Sequence, residues 1–142
     1  MKKHCSNAEE MVKYLLDHES VSWVSHPSVP DHPDHALAKK LLPNGRGSMI
    51  AFGIKGGKEA GVAFINSAKL ASHLANVGDT RTLVIHPASG THSQMDEATL
   101  KLANMSHDMI RLSVGIEDID DIKNDFEIGF RAARKPRLVS NQ

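Results

Sequence analysis

The chain has 142 residues, is 40% hydrophobic and 24% charged, and balances 17 basic against 17 acidic side chains. That size supports one domain with a true core, while the charge balance and a 4% aromatic share argue against nucleic acid or an anionic membrane surface as partner. Cys5 stands alone, the basic start "MKKHCSNAEE" has no apolar run behind it, and no stretch is apolar for long enough to span a bilayer, so a cytoplasmic protein in a reducing compartment is expected.

Ser6 or Asn7 is placed to cap a first helix, in which Ala8, Met11, Val12, Leu15 and Leu16 recur at helical spacing. "VSWVSHP" predicts a short strand stopped by Pro27, and "SVPDHPDH" a proline-interrupted loop. Asp31 is a candidate cap for the next helix, with Pro33 in its first turn and an apolar stripe of Leu37, Ala38, Leu41 and Leu42. "PNGRG" ends it.

"SMIAFGI" places Ile50, Phe52 and Ile54 on one strand face. "KGGKEAGVAFINSAKLASHL" predicts a turn and then a helix, "ANVGDTR" a polar connection, and "TLVIHP" a third strand. "QMDEATLKLANM" predicts a short helix finishing near Asn104, a residue that tolerates the left-handed conformation. "MIRLSVGIED" reads as a fourth strand, with Ile110, Leu112 and Val114 on one face and Met109, Arg111 and Ser113 on the other.

The last helix starts near Asp118 and buries Ile119, Ile122, Phe126, Phe130 and Ala133. Acidic residues gather at its start and Arg131, Arg134 and Lys135 at its end, as the helix dipole favours. Strands alternating with helices predict an α/β (α+β) fold, helices against a small sheet.

Four features invite a chemical reading. His26, His32 and His35 share a loop, but no zinc spacing is met and no cysteine joins them, so surface histidines are expected rather than a metal site. "GIKGGKEA" lacks the G-x-x-x-x-G-K-[ST] spacing, so its glycines are expected to make a tight turn. "HPASGTH" sets Ser89 close to His92 without a third group to orient a base, so no nucleophilic catalysis is inferred. Arg111 is the fourth. Its guanidinium either reaches a carboxylate such as Asp108 or Glu117, or awaits an anion from outside, for which a planar fork is well suited.

Three stretches taken together narrow these choices. "SHLANVGDTRTLVIHPASGTHSQM", "MIRLSVGIEDIDDI" and "AFGIKGGKEAG" resemble the cystathionine-γ-synthase-like family of pyridoxal-phosphate (PLP) enzymes of cysteine and methionine metabolism. "HLANVGD" and "LAKKLLP" point to its O-acetylhomoserine sulfhydrylase branch. The resemblance covers nearly the whole chain but only the family's C-terminal domain. It implies a small, mostly antiparallel sheet with helices on one face, residues 1–142 forming a single such domain.

The resemblance also implies roles. Arg111 would receive a substrate's α-carboxylate, Asn76 would lie beside it, and Thr91 would line the pocket and steady the arginine. Such an anchor orients the Cα–H bond over the cofactor plane. The family's Schiff-base lysine belongs to a large N-terminal domain, and no S-x-T-K-like stretch occurs here. The expectations are therefore a detached or truncated domain that holds no PLP alone, and an amino-acid carboxylate as ligand. Its partner would be a large PLP-binding domain or a second copy of the chain. A stand-alone amino-acid-binding or assembly module and a non-functional gene fragment are the alternatives. Gly90, Asn104 and His107 depart from the family pattern of threonine or methionine, glycine and proline.

Overall fold

The computed structural model describes residues 1–90 and 96–134. Its elements are α1 (Lys2–Asp17), β1 (Val21–Ser25), α2 (His35–Leu41), β2 (Met49–Ile54), α3 (Gly57–Ser67), β3 (Ser72–His73), β4 (Leu83–Ile85), α4 (Glu97–Leu102), β5 (Met109–Ser113) and α5 (Ile119–Arg134). The strands form one sheet in the order β1-β2-β5-β4-β3. Every pairing is antiparallel except β3 with β4.

Register explains which face is covered. Ile50, Phe52 and Ile54 of β2 share a face with Ile110, Leu112 and Val114, and all six are sealed from solvent. Against that face pack Ala8, Met11, Val12 and Leu15 of α1, Phe64 of α3, and Ile122, Phe126 and Phe130 of α5. The protein's four phenylalanines all meet there, Phe64 and Phe130 with ring centroids 4.9 Å apart. Fully burying each such ring contributes about 1.5–3 kcal/mol before entropy. The opposite face carries Met49, Ala51, Gly53, Leu83, Ile85, Met109, Arg111 and Ser113. A mostly antiparallel sheet with α1, α3 and α5 on one face is the predicted architecture.

Three boundaries and one strand differ from the sequence reading. The first helix starts at Lys2, and neither Ser6 nor Asn7 caps it. Asn7 is buried instead, its Nδ2 donating to the carbonyls of Gly115 (3.1 Å) and Glu117 (2.8 Å). The second helix starts at His35, not near Asp31, because successive i→i+3 bonds across residues 26–35 hold the proline-rich segment in turns. Only Ala38 of its stripe is buried; Leu37, Leu41 and Leu42 face solvent.

The third helix stops at Ser67, and Ser72–His73 form a strand that periodicity did not reveal. The cause lies on α5. The buried carboxylate of Asp125 accepts the backbone N–H groups of Lys69 (2.7 Å), Leu70 (3.0 Å) and Ala71 (2.9 Å), drawing them out of helical pairing.

Other local expectations hold. Gly56 and Gly57 adopt φ of 103° and 68° at the β2–α3 turn, where only glycine sits without strain. Asn104 has φ 52°, and the N–H groups of Asn104 and Met105 return to the carbonyls of Lys101 and Leu100. That pair of bonds is a Schellman motif, so asparagine serves here as glycine would.

Candidate functional site

β5 presents Arg111 on the face opposite α1, α3 and α5, half-buried between Ala51 of β2 and Ile85 of β4. Neither expected carboxylate meets it. Asp108 accepts from Trp23 Nε1 (3.0 Å) and Ser22 Oγ (3.3 Å). Glu117 accepts from the backbone N–H of Thr82 (2.6 Å) and from its hydroxyl (2.7 Å). Among the described residues no carboxylate pairs with Arg111. A permanently charged guanidinium left in that setting is costly unless an anion meets it.

Strand direction fixes what lies near Arg111. It pairs with Ile85, the last residue of β4. β3 runs parallel to β4, so the chain leaves both strands at the same end of the sheet. Asn76 follows β3 by three residues, and the turn His86–Gly90 follows β4 directly. Two loops thus leave from the end of the sheet nearest Arg111. Asn76 is exposed, with Oδ1 accepting the Val77 N–H at 2.8 Å. Thr91 lies outside the described residues.

The turn after β4 is set by His86. Its Nε2–H donates to the His107 carbonyl at 2.6 Å, which leaves Nδ1 to accept the Ser89 hydroxyl at 2.8 Å. The N–H groups of Ser89 and Gly90 both return to the His86 carbonyl. Burial holds the imidazole pKa below its ordinary value, with Lys58 adding to that effect and the His107 carbonyl opposing it. The sequence reading set Ser89 beside His92, which lies outside the described residues; among those described, Ser89 pairs with His86, an i, i+3 pair within H-P-A-S that turn chemistry could have revealed. At Gly90 a Cβ would stand 3.4 Å from the His86 carbonyl, an ordinary contact, so the departure at this position does not strain the turn.

The loop histidines bind their own loop. His26 Nδ1 accepts the Ser28 N–H, His32 Nδ1 accepts the Asp34 N–H, and His35 Nδ1–H donates to the Pro27 carbonyl. On the 76–81 connection, Arg81 grips Asp79 at 3.0 Å and draws its carboxyl down to about 2.

The Cys/Met metabolism PLP-dependent enzyme pattern matches residues 1–131. The chain belongs to that family. Its R-L-S-V-G strand and N-V-G-D loop are the segments that carry Arg111 and Asn76. The O-acetyl-L-homoserine sulfhydrylase 1 of Thermus thermophilus is 46% identical over 125 residues, 88% of this chain and 30% of that protein. The homocysteine synthase of Schizosaccharomyces pombe is 49% identical over 126 residues, 89% of this chain and 29% of that protein. The crystal structure of cystathionine γ-synthase from Xanthomonas oryzae, solved with cystathionine, superposes with a TM-score of 0.85 at 33% identity, over 94% of this chain and 34% of that one. The chain therefore spans about a third of the length of the relatives it matches.

The family's cofactor needs a desolvated amine for its aldehyde. None of the ten described lysines is buried. Among the described residues, then, Arg111 is a cation without a carboxylate partner and no lysine is desolvated.

Proposed function

We propose that this chain is the substrate-carboxylate-binding part of an O-acetylhomoserine sulfhydrylase-like enzyme. The reaction is γ-replacement: sulfide or a thiol displaces acetate from O-acetyl-L-homoserine, giving homocysteine or a thioether. PLP, when bound in such an enzyme, supplies the electron sink. Here it would be held by a cofactor-bearing polypeptide segment outside residues 1–142, whether on the same chain, a separate chain or an assembly of copies.

One observation carries this reading. Arg111 stands without a carboxylate partner among the described residues, at the sheet end from which the Asn76 loop and the His86–Gly90 turn depart. Its role is to hold the α-carboxylate by two parallel charge-assisted bonds and so fix the orientation of the Cα–H bond. Asn76 would border the same carboxylate, and Thr91 would steady the guanidinium.

Two measurements test it. The purified 142-residue chain with added PLP should show no sulfhydrylase turnover; sustained turnover would place the cofactor site within this chain. Fused to the cofactor-bearing segment of a relative, Arg111→Leu should weaken O-acetylhomoserine binding by about 2–5 kcal/mol. An unchanged KM removes Arg111 from the pocket.

A stand-alone amino-acid-binding module is the second reading. The closed core of four phenylalanines favours it, because such a core folds without help from another segment. Carboxylate binding by the chain alone, with no gain on mixing with a cofactor-bearing partner, would select this reading.

A further inference from the structure

On the sheet face that carries Arg111, one position holds a polar cluster in place of a side chain. Gly53 has no Cβ, and the space a Cβ would fill is taken by Trp23 Nε1, Asp108 Oδ2 and Ser22 Oγ. Trp23 is the cross-strand partner of Gly53, and the register shift between Val21 and Trp23 brings Ser22 to the same spot. Both residues donate to one carboxylate oxygen, the indole N–H at 3.0 Å and the serine hydroxyl at 3.3 Å. Burial works against the charge of Asp108, yet hydrogen bonds from Ser106, Trp23 and Ser22 outweigh it and hold the carboxyl below its ordinary pKa. Asp108 is therefore an anion fixed over Gly53.

That anion stands within the range of Arg111. Arg111 faces Ala51 across the strands, and Gly53 is the next residue of β2 on that face. The carboxylate thus occupies a diagonal position from Arg111, a backbone spacing of about 7–8 Å that long side chains bridge. The two groups nonetheless form no ion pair. The backbone of Asp108 is tied to β2, its carbonyl accepting the Ile54 N–H at 2.9 Å. Side-chain rotation alone would bring the carboxylate toward the guanidinium. The two hydrogen bonds to Oδ2 oppose that rotation.

We infer that Trp23 and Ser22 are positioning residues for the anion seat: by holding the Asp108 carboxylate over Gly53, they deny Arg111 an internal counter-ion and leave its fork open for a substrate carboxylate. The inference rests on the carboxylate-binding role of Arg111 proposed above. An Arg111 paired with Asp108 for about nine-tenths of the time binds its ligand about tenfold more weakly, because only the unpaired fraction is competent. Trp23 and Ser22 thus act on affinity without touching the ligand.

The test uses the 142-residue chain, with O-acetyl-L-homoserine as the probe and the Arg111 Nε–Hε resonance as the signal. In the double variant Ser22→Ala, Trp23→Phe, the resonance of the ligand-free chain should move toward that of a carboxylate-paired arginine. The apparent Kd for the probe should rise about tenfold. Adding Asp108→Asn removes the competing charge and should restore both readings. If the two substitutions merely loosened β1, binding would weaken too, but Asp108→Asn would not recover it. That outcome, or a resonance unmoved by the double variant, overturns the inference. Should the double variant fail to fold, Trp23→Phe alone keeps the Ser22 bond and should give the same changes at smaller size, again reversed by Asp108→Asn. Should the probe leave Arg111 undisturbed in the wild type, the carboxylate-binding role fails instead. The ligand-free resonance, with and without the Asp108 charge, then still decides whether Trp23 and Ser22 hold that carboxylate back.

Discussion

Glu117 grips Thr82 at both of its donors, Oε1 taking the backbone N–H at 2.6 Å and Oε2 the hydroxyl at 2.7 Å. Thr82 Oγ1 in turn accepts the N–H of Gly115 at 3.0 Å. From α1, Asn7 binds the carbonyls of Gly115 and Glu117, and His4 Nδ1–H binds that of Val114. The G-I-E segment after β5 is therefore a clamped turn, and its carboxylate is committed to that turn instead of to Arg111.

Thr82→Val keeps the shape and removes the hydroxyl. It leaves one Glu117 oxygen and the Gly115 N–H without their partner, so a loss of about 1–3 kcal/mol is expected. Urea denaturation measures it, and Thr82→Ser should recover most of the loss.

Asp125 holds three consecutive backbone N–H groups from within α5. Asp125→Ala leaves them all without an acceptor and should cost about 3 kcal/mol or more. Hydrogen exchange should then be fastest at Lys69, Leu70 and Ala71. Uniform exchange across the chain would mean that the carboxylate does not hold this turn.

α3 and α5 pack closely because Gly129 has no side chain. A Cβ there would stand 2.6 Å from the Phe64 ring, which is fully buried. Helix propensity favours Gly129→Ala by about 1 kcal/mol, while overpacking a rigid aromatic core costs about 1–3 kcal/mol. The second effect should win, and the melting temperature should fall. A rise would show that α5 can shift outward freely.

Acid should destabilise the chain in two stages. Burial lowers the pKa of His26 and of His86 below the ordinary 6.5. Between the folded and unfolded values the native state binds fewer protons, so stability is complete above about pH 6.5 and falls as pH drops through that window. Each histidine contributes a slope of at most about 1.4 kcal/mol per pH unit. Glu127, whose carboxylate accepts from the Tyr14 hydroxyl (2.6 Å) and from His18, and Asp108 have depressed pKa values and lose their contributions at lower pH. Denaturant titrations across pH 4–8 check this; in the double variant His26→Gln, His86→Gln the upper stage should disappear.

Much of this protein was legible in its residues. Period-two and period-3.6 patterns marked β2, β5 and α5, and glycine and asparagine chemistry marked the β2–α3 turn and the end of α4. These signals are local: each depends on which side chains recur within a few residues. The motifs likewise carried the family and the face on which Arg111 stands. What tertiary structure alone decided is the assignment of polar partners across long sequence separations. Asp125 ends a helix 56 residues away, and Glu117 turns to Thr82, 35 residues away. Asn7 leaves its capping role for carbonyls 108 and 110 residues distant. Each polar group takes the partner that packing brings within about 3 Å, and no periodicity in the chain encodes that proximity.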